Sequence, residues 1–128
     1  MITIKGTISI KNASRKTVID KVTYSGSILK NTKGLMFRES GRMLMKSLND
    51  SRTAIWMPFM RYGLDLVFID RSKTVVDIIY DAAPINILKP KTWKLYIPKE
   101  SCRYVLEIES GLAKKERFAI GDRIEFND

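Results

Sequence analysis

Stretches of alternating or β-branched residues recur along this 128-residue chain, and turn residues interrupt each before a long helix could form. The pattern is clearest at the start. Ile2, Ile4, Ile8 and Ile10 fall on one side, and Thr3, Lys5, Thr7, Ser9 and Lys11 on the other. Side chains of a strand point alternately to its two faces, so this stretch reads as a half-buried strand. "NASRK" has turn composition and "TVIDKVTYS" reads as a second strand, which predicts a hairpin.

The remaining segments extend the pattern. "SGSILKNTKG" changes period: Ser25 or Ser27 can cap a short helix, Ile28, Leu29 and Thr32 share a face, and Gly34 can end it. In "GRMLMKSLN", Met43 and Met45 suit a strand while Leu44 and Leu48 suit a helix. "TAIWM" reads as a strand cut short by Pro58. "LDLVFID" and "TVVDIIYD" are apolar on both faces, as central strands are, and "RSK" is short enough to join them as a hairpin loop. Residues 82–99 hold Pro84, Pro90 and Pro98 and read as an excursion with one short strand, Trp93 to Ile97. "RYVLEIE" is a further strand, Ser110 is placed to cap a helical turn in "SGLAKKERF", and "GDRIEF" reads as a closing strand. The expectation is one β-rich domain over residues 1–128. It is a small antiparallel β-barrel-like or sandwich domain with one or two short helices.

Composition narrows the chemistry. The chain has no histidine and one cysteine, Cys102. Ser-His-Asp triads, Cys-His pairs and His-ligated zinc are therefore excluded within one chain. The expectation is no catalytic metal and no cofactor. A lone cysteine favours a reducing compartment. The start has the pattern of neither a signal peptide nor a membrane span, so the expected location is the cytoplasm, with no membrane partner. Scarce Gln and Cys beside many charged residues is a pattern of heat-adapted proteins. The net charge is +9, and all of the excess lies in residues 1–64. Such a bias serves either solubility or an acidic partner.

Several stretches then match one family in order. They are "GLMFR" at 34–38, "WM" at 56–57, "LDLVFID" at 64–70, "VV" at 75–76, "YVLEIESG" at 104–111 and "GD" at 121–122. From about residue 28 onward the chain resembles the family called domain of unknown function 192. The resemblance implies a compact, mostly β domain and a strand at "GRMLMKSLN", but no activity. Many relatives carry Lys-Asn-Thr after the Trp-Met pair, where this chain has "PFMRY". Many bacterial relatives also carry an export leader, so a periplasmic role is not carried over.

Five residues are candidates for a binding site. Arg38 presents a rigid fork suited to carboxylate or phosphate, or else forms a structural ion pair with Asp65 or Glu107. Asp65 lies between Leu64 and Leu66, where a carboxylate must be paired, hydrogen-bonded or at a pocket. Glu107 lies between Leu106 and Ile108, although plain alternation would put it with Val105 and Glu109 on a solvent face. Trp56 and Met57 begin an apolar, aromatic patch that Phe59 and Met60 continue. "KPKTWKLYIPK" interleaves Lys89, Lys91, Lys94 and Lys99 with Trp93 and Tyr96, either to meet nucleic acid or to guard an edge strand. Asp122 reads as a turn residue whose side chain bonds the backbone, and Cys102 as inert. The favoured function is a non-catalytic module that binds a small ligand or a protein at a pocket near Arg38, Trp56 and Asp65. The alternatives are a basic protein with weak, non-specific affinity for nucleic acid, and a small enzyme using Asp65 or Glu107 as base on an anionic substrate.

Overall fold

The computed structural model describes residues 7–25, 42–51, 55–56, 63–82 and 95–127. For Ser25, residues 47–51, 55–56 and 95–96 it describes the backbone only. The expected helix at 25–34, and Arg38, Met57, Phe59, Met60 and Trp93, lie outside these residues.

The chain is mainly β, as its alternation dictates. The strands are β1 (Thr7–Asn12), β2 (Thr17–Ser25), β3 (Arg42–Ser51), β4 (Ile55–Trp56), β5 (Leu64–Ile69), β6 (Val75–Ala82), β7 (Leu95–Tyr96), β8 (Cys102–Glu109) and β9 (Ile124–Glu125). Among the described residues one short helix, α1 (Leu112–Lys115), precedes β9. Seven strands form one curled, half-barrel sheet in the order β6-β5-β8-β3-β2-β1-β9, and β4 pairs with β7 separately. The edges of the large sheet meet at one end. Thr74 bridges Arg123, and the Ile124 N–H donates to the Lys73 carbonyl at 2.8 Å.

The β1–β2 and β5–β6 hairpins are antiparallel, as their turn residues predict. Lys21, with φ of 55°, accompanies a register shift in the first hairpin that adds a residue to β2. The β2–β3 pair departs from the antiparallel expectation: its strands run parallel, Val22 opposite Arg42 and Tyr24 opposite Leu44. A parallel pair needs a crossover of a dozen or more residues, and residues 26–41 supply that length.

Both faces of the sheet are buried. Leu44, Val67, Ile69, Leu106 and Ile108 pack on the concave side with Ile10, Ile19, Val22 and Ile124. Met43, Met45, Leu66, Phe68, Cys102 and Val105 pack on the convex side. The split of Met43 and Met45 from Leu44 settles "GRMLMKSLN" as a strand. Ala113 and Phe118 also belong to the concave core. Residues 110–121 thus cover this side of the sheet from the end of β8 to the start of β9, with Ala113 and Phe118 turned into the core. Among the described residues no helix is long and apolar enough to cross a membrane.

Candidate functional site

Asp65 and Glu107 are both buried, at 1% and 2% exposure, but they do not share a site. Residues opposite each other in a sheet point to the same face. Asp65 stands opposite Ile108, and Leu66 opposite Glu107. Asp65 therefore points into the half-barrel and Glu107 to its convex side. The solvent-facing alternative for Glu107 does not hold, because the convex face is core rather than surface here. Met43 and Leu66 flank Glu107 in register, and Val105 precedes it on the same face.

Asp65 acts as a clasp. Its Oδ1 accepts the Asp81 N–H at 2.8 Å, and its Oδ2 accepts the N–H groups of Gly111 and Ala113, both at 3.0 Å. The first N–H groups of a helix lack partners within it. Ser110 is the expected cap, but the N-cap position falls on Gly111, which has no side chain to cap with, and Ser110 Oγ donates instead to Asp81. Asp65 thus caps α1 from a strand 46 residues away. Gly111 has φ of 92°, a left-handed conformation that glycine adopts without strain. A cavity of about 150 Å³ opens beside this clasp, lined by Asp65, Tyr80, Asp81, Ser110, Gly111 and Lys114.

Asp122 holds the other end of the same inner segment. Its Oδ2 accepts from the Ala119 N–H at 2.9 Å, Asn12 Nδ2 at 2.9 Å and Arg15 Nε at 3.2 Å. Burial pushes the Asp122 carboxyl up. The hydrogen bonds from Asn12, Arg15 and Ala119, with the Arg15 charge, overcome this and hold its pKa below the ordinary aspartate value. Asn12 is itself fully buried, and its Oδ1 accepts the N–H groups of Ser14 and Arg15. The turn reading of Asp122 holds for Ala119. Its two side-chain partners near residue 12 leave no local trace in the sequence.

Two further carboxylates fasten strands. Asp77, 5% exposed, accepts the Lys99 N–H at 2.9 Å and so fixes the chain's return after the 82–99 excursion. Glu109 receives a bidentate fork from Arg42, Nε at 2.8 Å and Nη2 at 3.0 Å. These hydrogen bonds hold the Glu109 carboxyl below its usual range against the pull of desolvation. Arg42 also donates to the Asp20 carbonyl, linking β3 to β2. Glu109 is half exposed, so a double-mutant cycle on Arg42→Ala and Glu109→Ala should show a coupling of no more than about 1 kcal/mol. A coupling several times larger by urea unfolding would show the pair to be shielded from water.

Of the five sequence candidates, the structure describes the side chains of Asp65 and Glu107. Trp56 is placed by its backbone in β4, opposite Leu95, while Arg38 and Met57 lie outside the described residues. Among the described residues, no three His, Cys, Asp or Glu side chains stand close enough to share a metal ion. Cys102 is buried and in no disulfide among the described residues.

Comparison with known proteins agrees with this architecture. The profile of domain of unknown function 192, described as an uncharacterised ACR, matches residues 8–126. A UPF0127 protein from Pyrococcus furiosus is 30% identical over 88% of this chain and 91% of its own. Another from Pyrococcus abyssi is 32% identical over 83% and 86%. The crystal structure of a "putative transcription regulator" from Sinorhizobium meliloti superposes with a TM-score of 0.78 over 98% of this chain and 96% of that one. At 24% identity that likeness speaks for the fold alone. A match over nearly the whole chain, with relatives of similar length, places this chain in the domain of unknown function 192 family.

Proposed function

We propose that the domain is a non-catalytic binding module whose recognition site lies on the convex face around Glu107. The observation that carries this reading is the contrast between the two buried strand carboxylates. Asp65 commits both oxygens to three backbone N–H groups. A general base needs a lone pair aimed at the proton it removes, and the clasp occupies three of the roughly four acceptor positions of the Asp65 carboxylate. Glu107 is enclosed on the other face by Met43, Leu66 and Val105. A carboxylate in such surroundings requires a cation or hydrogen-bond donors. Arg38 had two acidic residues to choose between, and with Asp65 committed we assign it to Glu107. In this reading Arg38, Trp56 and Met57 join Glu107 in contacting a small ligand or an inserted protein side chain. Met43 and Met45 supply an adaptable apolar wall. We place the domain in the cytoplasm, where a lone buried thiol stays reduced.

A double-mutant cycle tests the assignment. Glu107→Gln and Arg38→Met, singly and together, should show a coupling of about 2 kcal/mol or more in urea unfolding, since Glu107 is buried. A coupling near zero would separate the two residues. Tryptophan fluorescence titrations with small carboxylic and amino acids then test binding. A saturable change that Arg38→Met abolishes is the expected result, and no saturable response to any of them removes the small-ligand form of the reading.

A further inference from the structure

We infer that the end of the half-barrel where its edges meet is a surface for the phosphate backbone of double-stranded nucleic acid. Three turns converge there: residues 13–16, 70–74 and 117–123. Arg123 ties the first to the third, its carbonyl accepting the Ala13 N–H at 2.8 Å and its N–H donating to Ser14 Oγ at 2.9 Å. The Thr74–Arg123 bridge ties in the second. Together the turns carry Arg15, Lys16, Arg71, Lys73, Arg117 and Arg123. Four of these cations come from the half of the sequence whose charges balance, so the bias along the chain gave no sign of this patch.

The acids of the same turns are held by hydrogen bonds, Asp70 half-buried and Asp122 buried. Asp70 Oδ1 accepts the N–H groups of Ser72 and Thr74, both at 2.9 Å, and Asp122 is 4% exposed. Glu116 and Glu125 flank the surface, and Lys11 stands 4.0 Å from Glu125. Lys73 is already positioned: its ammonium donates to the Phe126 carbonyl at 2.7 Å and lies 4.4 Å from the ring centroid of Phe126. Beside it is a cavity of about 380 Å³ bordered by Ser72, Lys73, Arg123, Phe126 and Asn127, with the Glu125 carboxylate, the partner of Lys11, also on its wall.

The chemistry of these turns selects the partner. The guanidinium forks of Arg71, Arg117 and Arg123 suit phosphate oxygens bidentately, Arg15 being tied to Asp122, and a polyanion can engage cations on three turns at once. A protein partner would need an apolar centre to its interface. Among the described residues of these turns, Ile120 is the one large apolar side chain exposed. Single strands bind by stacking bases on aromatic faces. The rings at this end are buried: Phe118, and Tyr104 and Phe126, which pack edge to face at 4.9 Å. What is left is the duplex backbone, recognised without regard to sequence.

Fluorescence anisotropy with a short mixed-sequence DNA duplex, titrated at increasing salt, tests this. The logarithm of the association constant should fall linearly with the logarithm of salt concentration, with a slope of about −3 to −5 for four or five neutralised phosphates. Arg117→Glu with Arg123→Glu should weaken binding by about tenfold or more at low salt and flatten the slope by about one for each cation lost. Lys99→Glu with Lys114→Glu makes the same change of charge away from the three turns and should weaken binding by less than about threefold. Circular dichroism establishes that both variants are folded, and Arg117→Gln with Arg123→Gln replaces the first pair if it is not. Equal losses in the two pairs, no duplex binding at low salt, or an equal affinity for single-stranded oligothymidine lost through the same substitutions would each overturn the inference.

Discussion

Replacing Asp65 with alanine should destabilise the protein by on the order of 3 kcal/mol, because one buried N–H group, that of Ala113, and two half-buried ones lose a charged acceptor at once. Hydrogen bonds to a charged group contribute more than neutral ones, and an unsatisfied buried donor costs its full desolvation. Gly111 and Ala113 would open the start of α1, and Asp81 would release the end of β6. Asparagine should rescue little. The bonds to Asp65 fall on both of its oxygens, and an amide offers only one acceptor atom. Whichever way the substituted amide turned, its NH2 would face a backbone N–H. The Asp65→Asn cost should therefore be about 2 kcal/mol or more by urea unfolding. Hydrogen exchange should quicken at Gly111 and Ala113 in both variants. A cost below about 1 kcal/mol for alanine would show that the inner segment is held by packing alone.

Such a clasp was half visible in the sequence. Asp65 stands out because Leu64, Leu66 and Val67 surround it, and a carboxylate there must be satisfied somehow. Its partners are backbone groups of residues 81, 111 and 113, and no side chain announces a backbone donor. Ser110, the nearest hydroxyl to the helix, was the natural local choice for a cap; the fold supplied a distant carboxylate instead. Glu107 misleads for a different reason. Alternation separates core from solvent only when one face of a sheet is wet, and here Tyr104, Leu106 and Ile108 are buried on one side while Val105 and Glu107 are buried on the other. The strands themselves were legible because β-branched and aromatic residues define them locally. The parallel β2–β3 pair was not, since hairpin reasoning applies to short loops and these strands are joined by a long one.

The two aspartates give the inner segment a common design with different chemistry at its ends. Asp65 fixes where the segment enters the half-barrel, and Asp122 fixes where it leaves towards β9. Between them, Ala113 and Phe118 fill the concave core. The second clamp also braces the turns that carry the basic cluster, because Asp122 holds both Arg15 and, through Asn12, the start of the first hairpin's turn. The shape of that surface and the stability of the fold thus rest on the same carboxylate.

Asp122→Ala should cost about 2–4 kcal/mol at neutral pH, leaving Asn12 Nδ2 and the Ala119 N–H without their acceptor. Asparagine should be tolerated far better than at position 65, at about 1 kcal/mol, because all three donors meet the single oxygen Oδ2 and an amide oxygen can take its place. What asparagine loses is the charge, and with it a dependence on pH. The folded-state pKa of Asp122 lies below its unfolded value, so its charge contributes stability that is fully present above the unfolded pKa of 3.8. That contribution is lost as the pH falls below 3.8 and through the lower folded-state value. Urea unfolding of wild type and Asp122→Asn between neutral and strongly acidic pH should give curves that are separated at about pH 7 and converge in the acid range. Parallel curves, with the same separation at every pH, would show that the carboxylate holds Asn12, Arg15 and Ala119 no better than a neutral amide does.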